Sequence, residues 1–130
     1  MALDTADKFA IQELIHRYCH IADYGPPEAM RELFTADGVF EAPARGFNFR
    51  GVDALIEFFH SRRDAPSVGR HIISNTVIEG GGNEAQAISY LVVVSAEGSP
   101  RSIPLFGRYK DRLLRTANGW RFTHRLVDME

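Results

Sequence analysis

Two residues far apart in the chain, Asp23 and His71, are the strongest candidates for chemistry. Histidine is the side chain that titrates nearest to neutral pH, and it is the most frequent acid or base catalyst. His71 stands at the start of a β-branched apolar stretch, where alternation places it on the same face as Ile73. It is either a general base or a hydrogen-bonded structural histidine near a strand end. The remaining histidines are His16, His20, His60 and His124.

Asp23 occupies an unfavourable place in a predicted helix. It falls in the last turn, where the helix dipole disfavours negative charge. Three explanations are open at this point: the carboxylate caps the next turn, it is solvated, or it has a functional role.

A second arrangement could hold a metal ion, because His16, His20 and Asp23 recur at i, i+4 and i+7 on one helical face. That face points away from the apolar stripe of the helix, and no glutamate completes an H-E-x-x-H motif. A solvated polar face without metal is therefore expected. Cys19 has no signature of a nucleophile and is expected to be a buried, inert thiol.

Three helices are predicted to position these residues. The first takes Thr5 as its N-cap and ends at Gly25-Pro26-Pro27, the second covers residues 28–34, and the third opens at Gly51-Val52-Asp53 and ends before Pro66. The first helix buries one stripe, made of Ile11, Leu14, Ile15, Tyr18 and Ala22.

Strands are predicted to follow the helices. A short strand at residues 39–42 follows a turn at 35–38 and precedes a loop that carries Phe47 and Phe49. Four long strands cover residues 70–79, 85–95, 103–115 and 120–127, with turns at 80–83 and at Asn118-Gly119. Helices first and an antiparallel meander afterwards indicate an α+β fold with a pocket between the two layers.

The last predicted strand suggests an interface. Alternation places Trp120, Phe122 and Leu126 on one face and Arg121, Thr123 and Arg125 on the other. If Arg125 faces the pocket, the apolar row faces outward and needs cover. A homo-oligomer, either a dimer or a trimer, is therefore expected.

Composition limits the function classes. The chain has 130 residues, 45% of them hydrophobic, which suits one domain spanning residues 1–130. The net charge of −2 does not favour nucleic-acid binding, and no apolar run is long enough for a membrane helix. A single cysteine and an acidic N-terminus without a signal-peptide pattern lead us to expect a cytoplasmic protein.

Seven short segments of the chain form a characteristic set. They are Ala10-Ile11-Gln12-Glu13-Leu14, Ala22-Asp23, Phe34-Thr35-Ala36-Asp37-Gly38, Arg50-Gly51, Arg70-His71, Gly107-Arg108-Tyr109-Lys110-Asp111 and Gly119-Trp120-Arg121-Phe122. In this order they resemble the SnoaL-like branch of the nuclear transport factor 2-like superfamily. The resemblance covers essentially the whole chain and implies a cone-shaped α+β barrel, with three N-terminal helices packed on a strongly curved, mostly antiparallel sheet that encloses a pocket.

The resemblance implies roles for individual residues. Asp23 and His71 match an aspartate and a histidine that several eliminating enzymes of the superfamily use, among them bile acid 7α-dehydratase and hexachlorocyclohexane dehydrochlorinase. Tyr18 stands where the dehydrochlorinase has a lysine, and it resembles the phenols of scytalone dehydratase and related dehydratases. Arg125 matches a pocket arginine. The expected pocket lining is Phe40, Phe49, Tyr90, Val92, Val94, Leu105 and Tyr109.

These matches imply a cofactor-independent lyase or isomerase, dehydratase-like, that acts on a small hydrophobic cyclic molecule through an Asp-His dyad. The alternative is a non-catalytic binding or structural subunit of the same fold, similar to the β-subunits of ring-hydroxylating dioxygenases. The lyase or isomerase requires a base at His71, whereas the binding or structural subunit does not.

Overall fold

The computed structural model of the protein describes residues 2–62 and 69–130. It contains α1 (Thr5–Tyr24), a 3₁₀ helix (Pro27–Glu32) and α2 (Val52–Ser61). The strands are β1 (Phe34–Ala42), β2 (Phe47–Arg50), β3 (Gly69–Gly81), β4 (Glu84–Ser95), β5 (Leu105–Thr116) and β6 (Gly119–Met129), and a 3₁₀ turn at Pro43–Arg45 joins β1 to β2. The α+β class and the three helices are confirmed. The predicted helix limit at Pro66 lies outside the described residues.

Helix α1 is capped by Asp4, not by Thr5 as predicted. The Asp4 carboxylate accepts a hydrogen bond from the Asp7 backbone N–H at 2.8 Å, and the Asp7 carboxylate accepts one from the Asp4 N–H at 3.3 Å. This reciprocal capping box satisfies two donors at the helix start. Gly25, with φ of 72°, ends the helix. The buried stripe is Ile11, Leu14, Ile15, Tyr18 and Cys19.

The second helix is shorter and tighter than predicted. It is a 3₁₀ helix that ends at Glu32, and Phe34 already belongs to β1. The Phe122 backbone N–H donates to the Leu33 carbonyl at 2.7 Å, which draws the chain into the sheet at that point. A β-sheet partner therefore terminates this helix before its predicted end.

The six strands form one open sheet in the order β2-β1-β6-β5-β4-β3. Among the described residues only β1 and β6 pair in parallel, so the prediction of a mostly antiparallel sheet is confirmed. The predicted turn at residues 35–38 lies inside β1, where a register shift between Phe34 and Val39 accommodates it. The predicted loop around Phe49 is β2, because Phe49 pairs with Phe40 and the alternation of Phe47 and Phe49 with polar neighbours is itself a strand pattern.

A β-bulge in β6 overturns the predicted division of that strand into two faces. Arg112 pairs with His124 and Leu113 pairs with Phe122, so Thr123 is an extra residue. An extra residue shifts the alternation by one position. As a result Trp120 and Phe122 share the buried face with Arg125, and they do not form an exposed row.

The two faces of the sheet differ in their surroundings. The helices pack on the inner face, where the core side chains lie. The outer face leaves large apolar side chains in solvent, with Ile72 at 52%, Tyr90 at 51% and Phe106 at 53% exposure. No helix among residues 2–62 and 69–130 is long and apolar enough to cross a membrane.

Candidate active site

A cavity of about 240 Å³ lies between the helices and the inner face of the sheet. Most of its wall is aromatic or aliphatic, as in sites for small apolar molecules. Six side chains in the wall are polar: Asp23, His71, Tyr18, Tyr109, Arg45 and Arg62. The remaining lining residues are Ala22, Phe40, Ala42, Phe47, Phe58, Phe59, Gly69, Leu91, Val93, Pro104, Leu105 and Val127.

Asp23 and His71 are joined by two hydrogen bonds. One Asp23 carboxylate oxygen lies 2.5 Å from Nδ1 of His71, and the other accepts the His71 backbone N–H at 3.0 Å. The Asp23 side chain is only 7% exposed and that of His71 is 22% exposed. A carboxylate can only accept, so Nδ1 carries the hydrogen and Nε2 keeps its lone pair. Nε2 has no hydrogen-bond partner within the described part of the chain.

The end of α1 and the start of β3 bring this pair together. Arg70 Nε donates to the Tyr24 hydroxyl at 2.8 Å, and the Arg70 guanidinium lies 4.5 Å from the centroid of the Tyr24 ring. These contacts fix the helix end against the strand directly beside Asp23 and His71. The inward direction of Asp23 has a sequence signal, because Ile15, Cys19 and Asp23 follow one another at intervals of four along α1. The negative charge in the last turn is thus explained by its partner, His71.

Tyr18 packs edge-to-face against His71, with ring centroids 6.4 Å apart. The side chain is 1% exposed. Burial raises the pKa of Tyr18 above its ordinary value, although the Arg125 guanidinium and a hydrogen bond from Tyr109 lower it in part. Burial likewise raises the pKa of Tyr109. Both phenols therefore keep their protons at neutral pH and are hydrogen-bond donors.

Arg125, which was predicted to be a pocket arginine, lies behind the cavity wall and is not among its lining residues. It is fully buried and binds Asp111 through two hydrogen bonds of 2.8 and 3.1 Å. Its guanidinium lies 4.3 Å from the ring centroid of Tyr18 and 3.6 Å from that of Tyr109. Burial alone would lower the pKa of Arg125, but Asp111 raises it, so the charge is retained. From behind the cavity wall, the Arg125 guanidinium therefore stabilises the positions of both tyrosine rings by cation–π contacts.

The structure places some of the predicted lining residues at the cavity and others away from it. Phe40, Leu105 and Tyr109 line the cavity, whereas Phe49 stands behind the wall, with its ring 4.7 Å from that of Phe58. The prediction for Tyr90, Val92 and Val94 is wrong, because these residues lie on the opposite side of β4. Leu91 and Val93 take their place in the wall, one position out of phase.

The sequence reasoning missed two charged residues in the cavity wall, Arg45 and Arg62. Their neighbours Phe47, Phe58 and Phe59 were also missed as lining residues. The sequence did contain a signal for the aromatic lining residues, because five phenylalanines are concentrated between positions 40 and 59. No local pattern marked the arginines, because exposed arginines at the ends of helices are common.

The helical face of His16, His20 and Asp23 does not form a metal site in the described residues. Asp23 turns towards His71, while His16 and His20 are exposed. No group of three His, Cys, Asp or Glu side chains suited to a metal ion occurs among residues 2–62 and 69–130. Cys19 is buried, and burial raises its thiol pKa to about 11, so it is a poor nucleophile.

Comparisons with known proteins point to one family. The model of the SnoaL-like domain matches residues 4–126. A solved variant of a Mycobacterium tuberculosis protein of unknown function is 30% identical at a TM-score of 0.87, covering 96% of this chain and 72% of that chain. A Nostoc punctiforme protein of unknown function with a cystatin-like fold is 26% identical at a TM-score of 0.88, covering 100% and 96%.

A third structure, described as a candidate scytalone dehydratase from Novosphingobium aromaticivorans, is 24% identical at a TM-score of 0.82. It covers 96% of this chain and 85% of that chain, and it shows similarity of fold. The comparison with curated proteins found no match.

Proposed function

Because this chain belongs to the family of SnoaL-like domains, we propose that it is a cofactor-independent lyase or isomerase, and most specifically a dehydratase. The observation that carries the proposal is the double hydrogen bond between Asp23 and His71 in the wall of an aromatic cavity. A histidine oriented by a carboxylate, with its second nitrogen free, is the arrangement that general-base catalysis requires.

His71 acts as the base through Nε2. In a dehydration, Nε2 takes a proton from a carbon next to the one that bears the hydroxyl group. The C–H electron pair becomes the new C=C bond, and the C–O bond breaks with its electrons on oxygen. The departing oxygen takes the proton back from the imidazolium and leaves as water, so His71 ends as it began. Such a positioned base contributes about 10²–10⁴-fold in rate.

Asp23 and Tyr18 support that step. The Asp23 carboxylate holds the tautomer of His71 and stabilises the imidazolium that forms. The Tyr18 hydroxyl, protonated because burial raises its pKa, donates a hydrogen bond to the polarised or departing oxygen. Arg125 acts through Tyr18 and Tyr109, which makes it a positioning residue.

The substrate is a small hydrophobic ring compound. A cavity of about 150 Å³ accommodates benzene. The cavity of about 240 Å³ found here therefore accommodates one substituted ring or a compact bicyclic molecule. The aromatic side chains Phe40, Phe47, Phe58 and Phe59 supply flat apolar walls for such a ring.

The test compares two histidine–carboxylate pairs. His124 binds Glu41 at 2.7 Å and does not line the cavity, so it is a matched control for His71. On a substrate found by screening cyclic alcohols and enones, His71→Gln and Asp23→Asn should each lower kcat by about 10²–10⁴-fold. His124→Gln should leave kcat within about twofold of the wild type.

The pH dependence gives a second readout. A protonated imidazole cannot accept a proton, so kcat should fall on the acid side, and His71→Ala should lose this dependence together with the rate. If His71→Gln keeps both ligand binding and turnover, the chain is instead a binding or structural subunit. If Asp23→Asn keeps full activity, Asp23 does not orient the base.

We also propose that the protein is a homo-oligomer, most simply a dimer, joined through the outer face of the sheet. Ile72, Val92 and Phe106 are aligned across β3, β4 and β5 on this face. The next row holds Ser74, Tyr90 and Arg108. An apolar row flanked by polar groups has the composition of a protein–protein interface.

A further inference from the structure

The cavity has a charged end that the dyad chemistry does not use. Arg45, at the end of the 3₁₀ turn after β1, and Arg62, directly after α2, both line the cavity and are exposed to solvent. Tyr18, Tyr109 and Asp23 are in contrast nearly buried. The two guanidiniums therefore mark the mouth of the cavity, and the dyad lies further in.

Neither guanidinium is neutralised within the described residues. Arg45 and Arg62 make no ion pair there, whereas Arg31 binds Asp53 and Arg115 binds Asp7. The guanidinium of Arg62 lies 5.8 Å from the ring centroid of Phe58, a cation–π contact that holds it over the aromatic wall. Both charges thus remain available to a ligand.

The charge of the cavity wall is positive. Asp23 is the one carboxylate among the described lining residues, and its oxygens are already engaged by the His71 ring and backbone. Two guanidiniums line the same cavity, whose wall is otherwise mostly aromatic or aliphatic. A neutral hydrocarbon ring could form neither an ion pair nor a charge-assisted hydrogen bond with either of them.

We infer that the ligand is a cyclic carboxylic acid whose carboxylate binds Arg45 and Arg62 at the mouth while its ring enters the cavity. Guanidinium groups match a carboxylate in shape and form two parallel hydrogen bonds with it. The ring lies against Phe47, Phe58 and Phe59. This placement directs the end of the ring that is remote from the carboxylate towards His71. The inference deepens the proposed function and rests on it only for which end of the ligand reacts.

The inference implies a measurable preference for charge. A carboxylate and the corresponding primary amide have nearly the same shape, but only the acid is an anion. We expect the protein to bind 2-naphthoate at least about tenfold more tightly than 2-naphthamide, and benzoate more tightly than benzamide. The preference should shrink as salt is added, because both arginines are exposed.

The experiment measures the four dissociation constants by calorimetry in five proteins. These are the wild type, Arg45→Gln, Arg62→Gln, the double variant, and the control Arg17→Gln, which changes an exposed arginine of α1 outside the cavity. Each single variant should lose part of the preference for the acid, and the double variant should bind acid and amide within about threefold of each other. Arg17→Gln should behave as the wild type.

Three results would overturn the inference: equal binding of acid and amide by the wild type, an undiminished preference in the double variant, or no binding of either acid at concentrations on the order of 1 mM. The same titrations in His71→Gln separate this inference from the proposed function. A preference retained in His71→Gln with turnover unaffected would contradict the catalytic role of His71 and leave the anion site standing. Loss of turnover in His71→Gln, with no preference for the acid in any of the proteins, would instead support the catalytic role of His71 and contradict the anion site.

Discussion

The two ring nitrogens of His71 have different surroundings, and this difference is what makes the residue suited to proton transfer. Nδ1 is held by the nearly buried Asp23 carboxylate, and Nε2 has no described partner. The backbone N–H of the same residue binds the second oxygen of Asp23, so the histidine and the helix end are fixed to each other. Such a fixed orientation removes the entropy cost of positioning the base for each turnover.

A second buried pair, Asp111 and Arg125, lies behind the two tyrosines and is predicted to be structural. Both side chains are fully buried. Removal of one partner leaves the other as an unpaired buried charge, so Asp111→Asn should lower the free energy of unfolding by about 3–5 kcal/mol. Urea denaturation followed by circular dichroism measures this loss.

The matched control for this prediction removes both charges. The double variant Asp111→Leu/Arg125→Met keeps comparable volume without leaving a buried charge, and its stability should lie much closer to that of the wild type. An Asp111→Asn variant as stable as the wild type would contradict the role assigned to the pair. In the double variant kcat should fall as well, because Tyr18 and Tyr109 lose the cation that packs on their rings.

At the level of elements, the first half of β4 carries small side chains on the inner face of the sheet and large ones on the outer face. Ala85, Ala87 and Ser89 are buried on the inner face, while Ile88 and Tyr90 stand on the outer one. Ala85 and Ala87 belong to the hydrophobic core on this face. Ile88 and Tyr90 stand in solvent, against the usual expectation that large apolar side chains fill the core, whereas Leu91 and Val93 further along the strand are buried on the inner face.

The start of α1 is fastened to the sheet through Asp7. Its carboxylate binds the Arg115 guanidinium at 2.8 Å and accepts a hydrogen bond from the Trp120 indole N–H at 3.3 Å. Although burial raises the pKa of Asp7, hydrogen bonds from Arg115, Asp4 and Trp120 lower it below its ordinary value of 3.8. A lowered pKa means that ionised Asp7 stabilises the folded state above that value. This stabilisation is lost as the pH falls through the folded-state pKa.

We therefore predict that Asp7→Asn lowers the Tm at about pH 6, and that the difference from the wild type disappears as the pH falls well below 3.8. Thermal denaturation across this pH range measures the difference. Asp37→Asn is the control, because Asp37 is exposed and has no ion pair within the described chain. A Tm difference for Asp7→Asn that stays constant with pH would show that its charge does not fasten the helix.

For the whole molecule, the outer face of the sheet is predicted to be the contact between subunits. Ile72 and Phe106 are more than half exposed on this face and flank Val92 in register. Light scattering should report a dimer or trimer at micromolar concentration. A charge placed in the row, as in Phe106→Asp, should shift the protein to monomer because a buried unpaired charge is costly at an interface.

Phe9→Asp provides the control for this prediction. Phe9 is 64% exposed on α1, so the substitution introduces the same charge at an apolar position away from the sheet face. Its assembly state should match that of the wild type. A monomeric wild type across the micromolar range would refute the proposed oligomer.

The sequence alone determined the fold and the identity of its candidate base. The period of 3.6 in α1, the glycine and asparagine turns, and the set of family segments predicted the helices, the hairpins and the α+β class. Asp23 and His71 were selected because one carries charge at an unfavourable helix end and both match positions in a known family. Local patterns are sufficient for such conclusions because they depend on neighbours in sequence.

Only the tertiary structure decided which side chains face the cavity. Alternation fixes the relation between neighbours in a strand, but the absolute face depends on which side of the sheet the helices cover. For this reason Val93 lies in the cavity wall, where Val92 was predicted. The bulge at Thr123 reset the alternation within β6 and moved Trp120 and Phe122 to the side of Arg125. Arg45 and Arg62 line one cavity only because the fold brings the turn after β1 and the end of α2 to its border. These outcomes depend on contacts between distant segments, which no local pattern in the sequence contains.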